Sequence, residues 1–453
     1  MSTPSTPARL ENPPAGMSST ASGTRMALIA MTAIFFMWGF ITELNGVLIP
    51  HLQSVFELTH ARSMLLDSAF FGAYFVMALP AGRVVARVGY KLGIVIGLLI
   101  AGAGALLVLP AAQMASFNLF LPALFILATG VVVLQVAANP YVSLLGTPQR
   151  AASRLNFAQA VNSLGHTIGP YVAGLLIFSA TLLSAEQLAA LPAAERVQTV
   201  QPLYIGVAVA LLVLAAAVYF FRLPALFEAT EQADSRPHGF AEVLRLPHVR
   251  WGVLAIFFYV GVEVTVAHFM VKYVSQPTIG GMSERDASLY LSYYHAAAMV
   301  GRFVGAALLM RANPRRMLPL YAALNILLLL VTMTTLGGVA MWSVVAVGLF
   351  NSIMFPTIFT LAIERLGPMT EKASSLLVMA IVGGAVIPPL QGLFVDLFNA
   401  RLGDETRALQ YAFFVSILCY AYILWYGWRG SRLSGAGLPG AGPSGAGVAA
   451  AKD

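Results

Sequence analysis

Gly82-Arg83-Val84-Val85-Ala86-Arg87-Val88-Gly89-Tyr90-Lys91 stands directly before Leu92–Pro110, nineteen residues without a charge. An uncharged run of that length is what a helix needs to cross about 30 Å of hydrocarbon. Arg and Lys clustered at its edge mark the cytoplasmic side of a membrane. The same alternation extends in both directions. Further spans read as Met26–Pro50, Met64–Ala86, Phe117–Leu145, Ser153–Ala180 and Pro202–Phe221. Beyond a polar stretch come Arg250–Val274, Ala287–Met310, Arg316–Leu336, Met341–Leu366, Ser374–Phe398 and Leu409–Trp428. The expected fold class is an all-α membrane protein with twelve transmembrane helices.

Composition agrees. Of 453 residues, 58% are hydrophobic and only 10% charged, whereas soluble domains carry about 25% charged residues. The net charge of +7 would suggest a nucleic-acid partner in a soluble chain. Here the basic residues lie between apolar runs and report topology. With both termini cytoplasmic, nineteen Lys and Arg fall inside, and six (Arg62, Arg196, Lys272, Arg285, Arg401 and Arg407) fall outside. Cys419 is alone and forms no intramolecular disulfide. No cleavable signal peptide is expected. Residues 1–25 and 429–453, rich in Ser, Thr, Pro, Gly and Ala, read as disordered cytoplasmic tails.

Residues 222–249 read as a cytoplasmic central linker between two six-helix halves, 26–221 and 250–428. The halves echo each other. Arg87-Val88-Gly89-Tyr90-Lys91 corresponds to Arg311-Ala312-Asn313-Pro314-Arg315, Asn139-Pro140 to Phe355-Pro356, and Gly165 with Pro170 to Gly383 with Pro388. Such parallel repeats about an axis along the membrane normal are the plan of one large class of secondary transporters. Gly93/Gly97 and Gly301/Gly305 have the spacing of close helix packing.

Polar groups inside spans are costly, so they face a partner or a water-filled path. Glu43 and Asn45 lie in the first span, Gln135 and Asn139 in the fourth, and Asn156, Gln159, Asn162 and His166 along one side of the fifth. Glu263, His268 and Lys272 belong to the seventh, Glu263 near its start and Lys272 reaching the outer surface. Tyr293, Tyr294, His295 and Arg302 belong to the eighth, Asn351 to the tenth and Gln391 to the eleventh. Amides and hydroxyls both donate and accept, which suits a neutral polyhydroxylated solute. Aromatic rings cover its C–H faces. A dianion would need several converging cations, and a site for lipophilic drug efflux would lack the amide row. The substrate-binding set expected is therefore Asn45, Gln135, Asn139, Gln159, Asn162, Tyr293, His295, Asn351 and Gln391. Arg302 reads as a structural ion-pair partner. No nucleophile–base set, cofactor motif or metal cluster is seen, so neither an enzyme nor a cofactor is expected.

Phe35-Phe36-Met37-Trp38-Gly39-Phe40 with Leu44-Asn45-Gly46-Val47-Leu48-Ile49-Pro50 resembles the first span of the fucose–proton symporter family of major facilitators, which includes bacterial glucose/galactose transporters. Leu134–Val142, Arg154–Gly165, Tyr259–Val264, Met354–Phe359 and Leu377–Gly384 are similar to its later motifs. The turn holding Gly82, Arg83, Arg87, Gly89 and Lys91 resembles the superfamily's cytoplasmic gating turn, with Ala86 in place of its acidic residue. The resemblance implies the major facilitator fold and uptake of a monosaccharide with a proton across a bacterial inner membrane. It also implies a sugar-carrying, lipid-embedded chain, taken here as a monomer. Fucose transporters carry glutamate where this chain has Gln135. Glucose/galactose members carry glutamine, which moves the expected substrate toward an aldohexose. The family aspartate after Asn45 is replaced by Gly46, so Glu43, three residues earlier on the same helical face, is expected to take over proton coupling, with Glu263 in reserve. Desolvation favours a protonated carboxyl, which fits such a residue to carry a proton. Sodium coupling, an uncoupled sugar carrier, N-acetylglucosamine or fucose as substrate, and an efflux pump are the alternatives.

Overall fold

A computed structural model describes residues 21–57, 60–179, 192–221, 224 and 239–433. Among these, all regular structure is helical. Lipid offers no hydrogen-bond partner to a backbone, so each crossing segment satisfies its own amides as a helix.

The N-terminal half consists of α1 (Ala21–Val55), α2 (His60–Gln113), α3 (Phe117–Leu144), α4 (Ala151–Ser179) and α5 (Gln201–Phe220). The C-terminal half consists of α6 (Pro247–Val274), α7 (Glu284–Leu308), α8 (Pro314–Thr334), α9 (Gly337–Asn351), α10 (Met354–Ala362), α11 (Thr370–Met379), α12 (Gly383–Leu402), α13 (Glu405–Ala412) and α14 (Phe414–Trp425). Three expected single spans are built from two helices each. α9 and α10 together make the tenth. α11 and α12, joined by a 3-10 turn at Ala380–Val382 beside Gly383 and Gly384, make the eleventh, and α13 with α14 the twelfth.

α2 holds two expected spans in one continuous run. It turns at Gly89, whose φ of 78° and ψ of 171° lie outside the helical region. Only glycine takes that backbone conformation without strain, which explains why the basic turn carries a glycine there. Nine stretches among the described residues are long and apolar enough to cross a membrane, one of them spanning both arms of α2. α4 and α7 fall short on hydropathy, although they are long enough. Their polarity is explained by what they face.

Close approach of glycines packs the helices. A Cβ on Gly104 would collide with the Leu127 backbone, and one on Gly130 with the Ala101 backbone, so α2 and α3 meet almost backbone to backbone. Gly39 and Gly165 do the same for α1 and α4, against the carbonyls of Asn162 and Phe36. Gly97 abuts Leu134, and Gly301 abuts the Leu349 carbonyl, so both predicted glycine pairs serve packing.

The halves meet at the end bearing the Gly89 turn. Gly82 faces Ser375 closely enough to exclude any side chain. Ser374 Oγ donates to the Val136 carbonyl at 2.9 Å, and Ser153 Oγ to the Ala306 carbonyl at 2.6 Å. Glu371 lies beside the Tyr90 hydroxyl.

Two expectations about the ends need correction. Residues 21–25, assigned to the tail, already belong to α1. Residues 429–433 are also described: Tyr426–Gly430 form a single π-turn, and the Ser431 carbonyl accepts from Arg315 at 3.2 Å, which itself pairs with Glu364 at 2.7 Å. Residues 1–20 and 434–453 lie outside the described residues, as does most of the expected linker, of which a short helix, Phe240–Arg245, is seen.

Gly130→Val should destabilise the folded protein by about 1–3 kcal/mol through overpacking. Melting in detergent checks this against Gly206→Val, where an added Cβ meets nothing within 4 Å.

Candidate functional site

The halves enclose a cavity of about 680 Å³, within the range of small-molecule sites. Trp38, Thr42 and Glu43 of α1 line it, with Phe70, Phe71 and Tyr74 of α2, Gln135 of α3, and Gln159, Asn162 and His166 of α4. The opposite wall carries Glu263 and His268 of α6, Tyr294, His295 and Arg302 of α7, and Phe355 of α10. It reaches toward the end opposite the Gly89 turn, where Tyr171 lines it and is 78% exposed.

Spacing of three and four residues puts Gln159, Asn162, His166 and Pro170 on one face of α4, and that face forms the wall. Asn162 Nδ2 donates to the Phe35 carbonyl at 2.8 Å, which leaves its amide oxygen available. Gln135 Nε2 donates to the Tyr74 hydroxyl at 2.7 Å, and the buried Gln135 Oε1 has no partner. The wall thus offers amide acceptors among aromatic rings. Tyr294 stacks edge-on against His295 at 5.4 Å between ring centroids on the facing wall.

Two pairs, each a carboxylate with a basic side chain, sit in this cavity. His166 Nδ1 lies 3.0 Å from Glu43 Oε2, both side chains about one-third exposed, at 33% and 37%. Arg302 Nη2 lies 3.2 Å from Glu263 Oε1. Arg302 also donates to Ser163 Oγ, across the boundary between halves. Glu43 has a basic neighbour because α1 and α4 touch through Gly39 and Gly165, which brings His166 alongside. Glu263 is likewise in mid-helix, because α6 begins at Pro247 and its central turns face the cavity.

Of the expected binding residues, Gln135, Gln159, Asn162 and His295 line the cavity. Four others are placed elsewhere. Tyr293 is 50% exposed on the outside of α7, stacked on Trp342. One residue of helix turns the side chain by about 100°, and Tyr294 lines the site in its place. Asn351 is fully buried behind the cavity: it accepts from Asn325 at 2.9 Å and Tyr420 at 2.6 Å, and donates to the Tyr294 hydroxyl at 2.8 Å. Gln391 is buried and accepts from Ser416 at 2.9 Å. Asn139 is buried below the cavity with neither amide atom paired. Asn45 lies on α1, its side chain outside the described residues.

Lys272 reaches the surface as expected and pairs with Glu405 at 2.6 Å. Gly82, Arg83, Arg87, Gly89 and Lys91, expected to form a gating turn, sit at the closed end, with Arg83 over the Phe240 ring at 5.3 Å. Tyr74, Phe70 and Phe71 escaped the sequence reading because aromatic residues in apolar spans carry no signal of their facing.

Two parallel halves, a polar cavity between them and closure at one end define the class of multi-pass membrane transporters. The chain belongs to the major facilitator superfamily, which it matches over residues 26–389. It is 45% identical over 421 residues to the glucose/galactose transporter of Brucella abortus biovar 1 (strain 9-941), covering 93% of this chain and 98% of that one. It is 34% identical over 406 residues to the L-fucose-proton symporter of Escherichia coli (strain K12), covering 87% and 90% respectively. The crystal structure of the transporter FucP in the outward conformation superimposes with a TM-score of 0.80 at 32% identity, over 91% of this chain and 100% of that one. These are transporters, and this chain is a transporter and not an enzyme.

Asn351→Ala should cost about 2–4 kcal/mol of stability, since three buried side-chain hydrogen bonds are lost together. Tyr293→Ala, outside the cavity, should leave substrate affinity as it is. Melting temperature and transport KM measured on both variants check the assignment.

Proposed function

We propose that this protein imports an aldohexose, glucose or galactose, across the bacterial inner membrane, with proton entry driving accumulation. The carrying observation is the cavity wall of neutral amides and rings: Gln135 with Tyr74, then Gln159 and Asn162, beside Trp38. Such groups accept and donate to sugar hydroxyls while the rings cover C–H faces. The relatives named glucose/galactose transporter support the same substrate. In this reading both termini are cytoplasmic, 26–221 and 250–428 are the moving halves joined by 222–249, and the working unit is a monomer.

Coupling is assigned to Glu43 with His166. A neutral imidazole donating through Nδ1 to the carboxylate leaves Nε2 as a proton acceptor. A proton taken there makes the pair neutral overall, and a neutral pair opposes occlusion in low dielectric less than a charged one. Sugar and proton enter from the open end, the halves rock about the cavity, and both leave at the end that the Gly89 turn now closes.

Uptake of labelled glucose, galactose, fucose and N-acetylglucosamine into proteoliposomes, with and without an inward proton gradient, tests the proposal. Glucose or galactose should accumulate only with the gradient. Glu43→Gln should lose accumulation while keeping sugar exchange between the two sides. Accumulation driven by sodium instead, or undiminished in Glu43→Gln, would overturn the proton assignment.

A further inference from the structure

Arg302 takes no part in sugar binding or proton uptake as described above, yet it holds a costly position. Its guanidinium pairs with Glu263 inside its own half and donates to Ser163 Oγ in the other half. The Ser163 hydroxyl donates to the Gln159 carbonyl at 3.0 Å, so lone pairs are what it presents to Arg302. Ser163 follows Asn162 directly and stands one turn from Gln159, which puts the cross-half bond beside the amides of the cavity wall. The seam between α4 and α7 extends to either side of it, with Ser153 on the Ala306 carbonyl toward the closed end and Thr167 Oγ1 at 3.7 Å from Met299 Sδ toward the other.

A carrier that concentrates its solute must also cross back empty. Closing the cavity brings two polar walls together, and groups buried there without partners oppose closure. In the loaded carrier the solute's own hydroxyls bridge the walls. The empty carrier needs a bridge of its own.

We propose that Arg302, bonded across to Ser163, is that bridge: it stands in for substrate during the return step, and a polyhydroxylated solute entering beside Gln159 and Asn162 displaces it. Glu263 keeps the guanidinium in place while Ser163 is released. The inference rests on alternating access, and on the sugar reading only for the solute that competes with Ser163.

The experiment uses the full chain with Cys419→Ser, so that no native thiol remains. Ser375→Cys places a near-isosteric reporter at the closed end, where a maleimide reaches it only after the empty carrier has swung. In sugar-free proteoliposomes, adding Ser163→Ala should slow labelling about tenfold, the effect of losing one hydrogen bond to a charged donor. Ser163→Thr, which keeps the hydroxyl, should restore the rate. With a transported sugar, Ser163→Ala should lower net uptake about tenfold relative to counterflow, in which only the loaded carrier crosses. Labelling at the parent rate in Ser163→Ala overturns the proposal, whatever the solute. Slowed labelling together with no counterflow of any sugar upholds it and removes the sugar reading instead.

Discussion

The Arg302 guanidinium lies in the middle of the bundle, and a cation at that depth in lipid costs at least 2.5–3.5 kcal/mol even on lenient scales. The requirement that every such group find its partner within the protein organises the rest of the structure. Glu263 and Ser163 meet Arg302, His166 meets Glu43, and all of them converge on one cavity instead of scattering over lipid-facing surfaces. Because α4 and α7 carry these groups, they cannot be apolar all round, and they pack face to face along the boundary between halves.

That constraint also decides what the sequence discloses. Charge-free runs such as Leu92–Pro110 reveal spans directly, since lipid tolerates little else, and basic turns such as Gly82–Lys91 reveal their ends. Facing is harder. In a soluble protein the polar side of a helix is the solvent side, but α9 and α12 are apolar on both their core and lipid sides, so Asn351 and Gln391 look like cavity residues when they are cross-links inside the C-terminal half. Tyr293 and Tyr294 are neighbours in sequence, yet only one faces the cavity. The amide row of α4 was legible because four polar positions recur at helical spacing. His166 as the partner of Glu43 was not, because that contact depends on how closely Gly39 and Gly165 let two helices approach.

The cavity divides its labour by wall. The N-terminal half contributes amide acceptors and the Glu43–His166 pair, and the C-terminal half contributes the Glu263–Arg302 pair with Tyr294 and His295. Neutral hydrogen-bonding groups suit selection of an uncharged solute, whereas the ionised groups come in pairs, each confined to one half. A movement of one half against the other therefore leaves both pairs intact. It alters only contacts across the boundary, among them Arg302 to Ser163 and Glu371 to Tyr90.

Asn351 has a mechanical consequence. Around it Tyr259 of α6, Tyr294 of α7, Asn325 of α8 and Tyr420 of α14 all hydrogen-bond to a single residue of α9. Five helices are thus pinned at one hub, and one of the pins, the Tyr294 hydroxyl, belongs to a residue on the cavity wall. A force applied to that wall is not absorbed by the bending of one helix. The load is shared among the five helices that meet at Asn351, so this part of the C-terminal half is stiff and the cavity wall is tied to it directly.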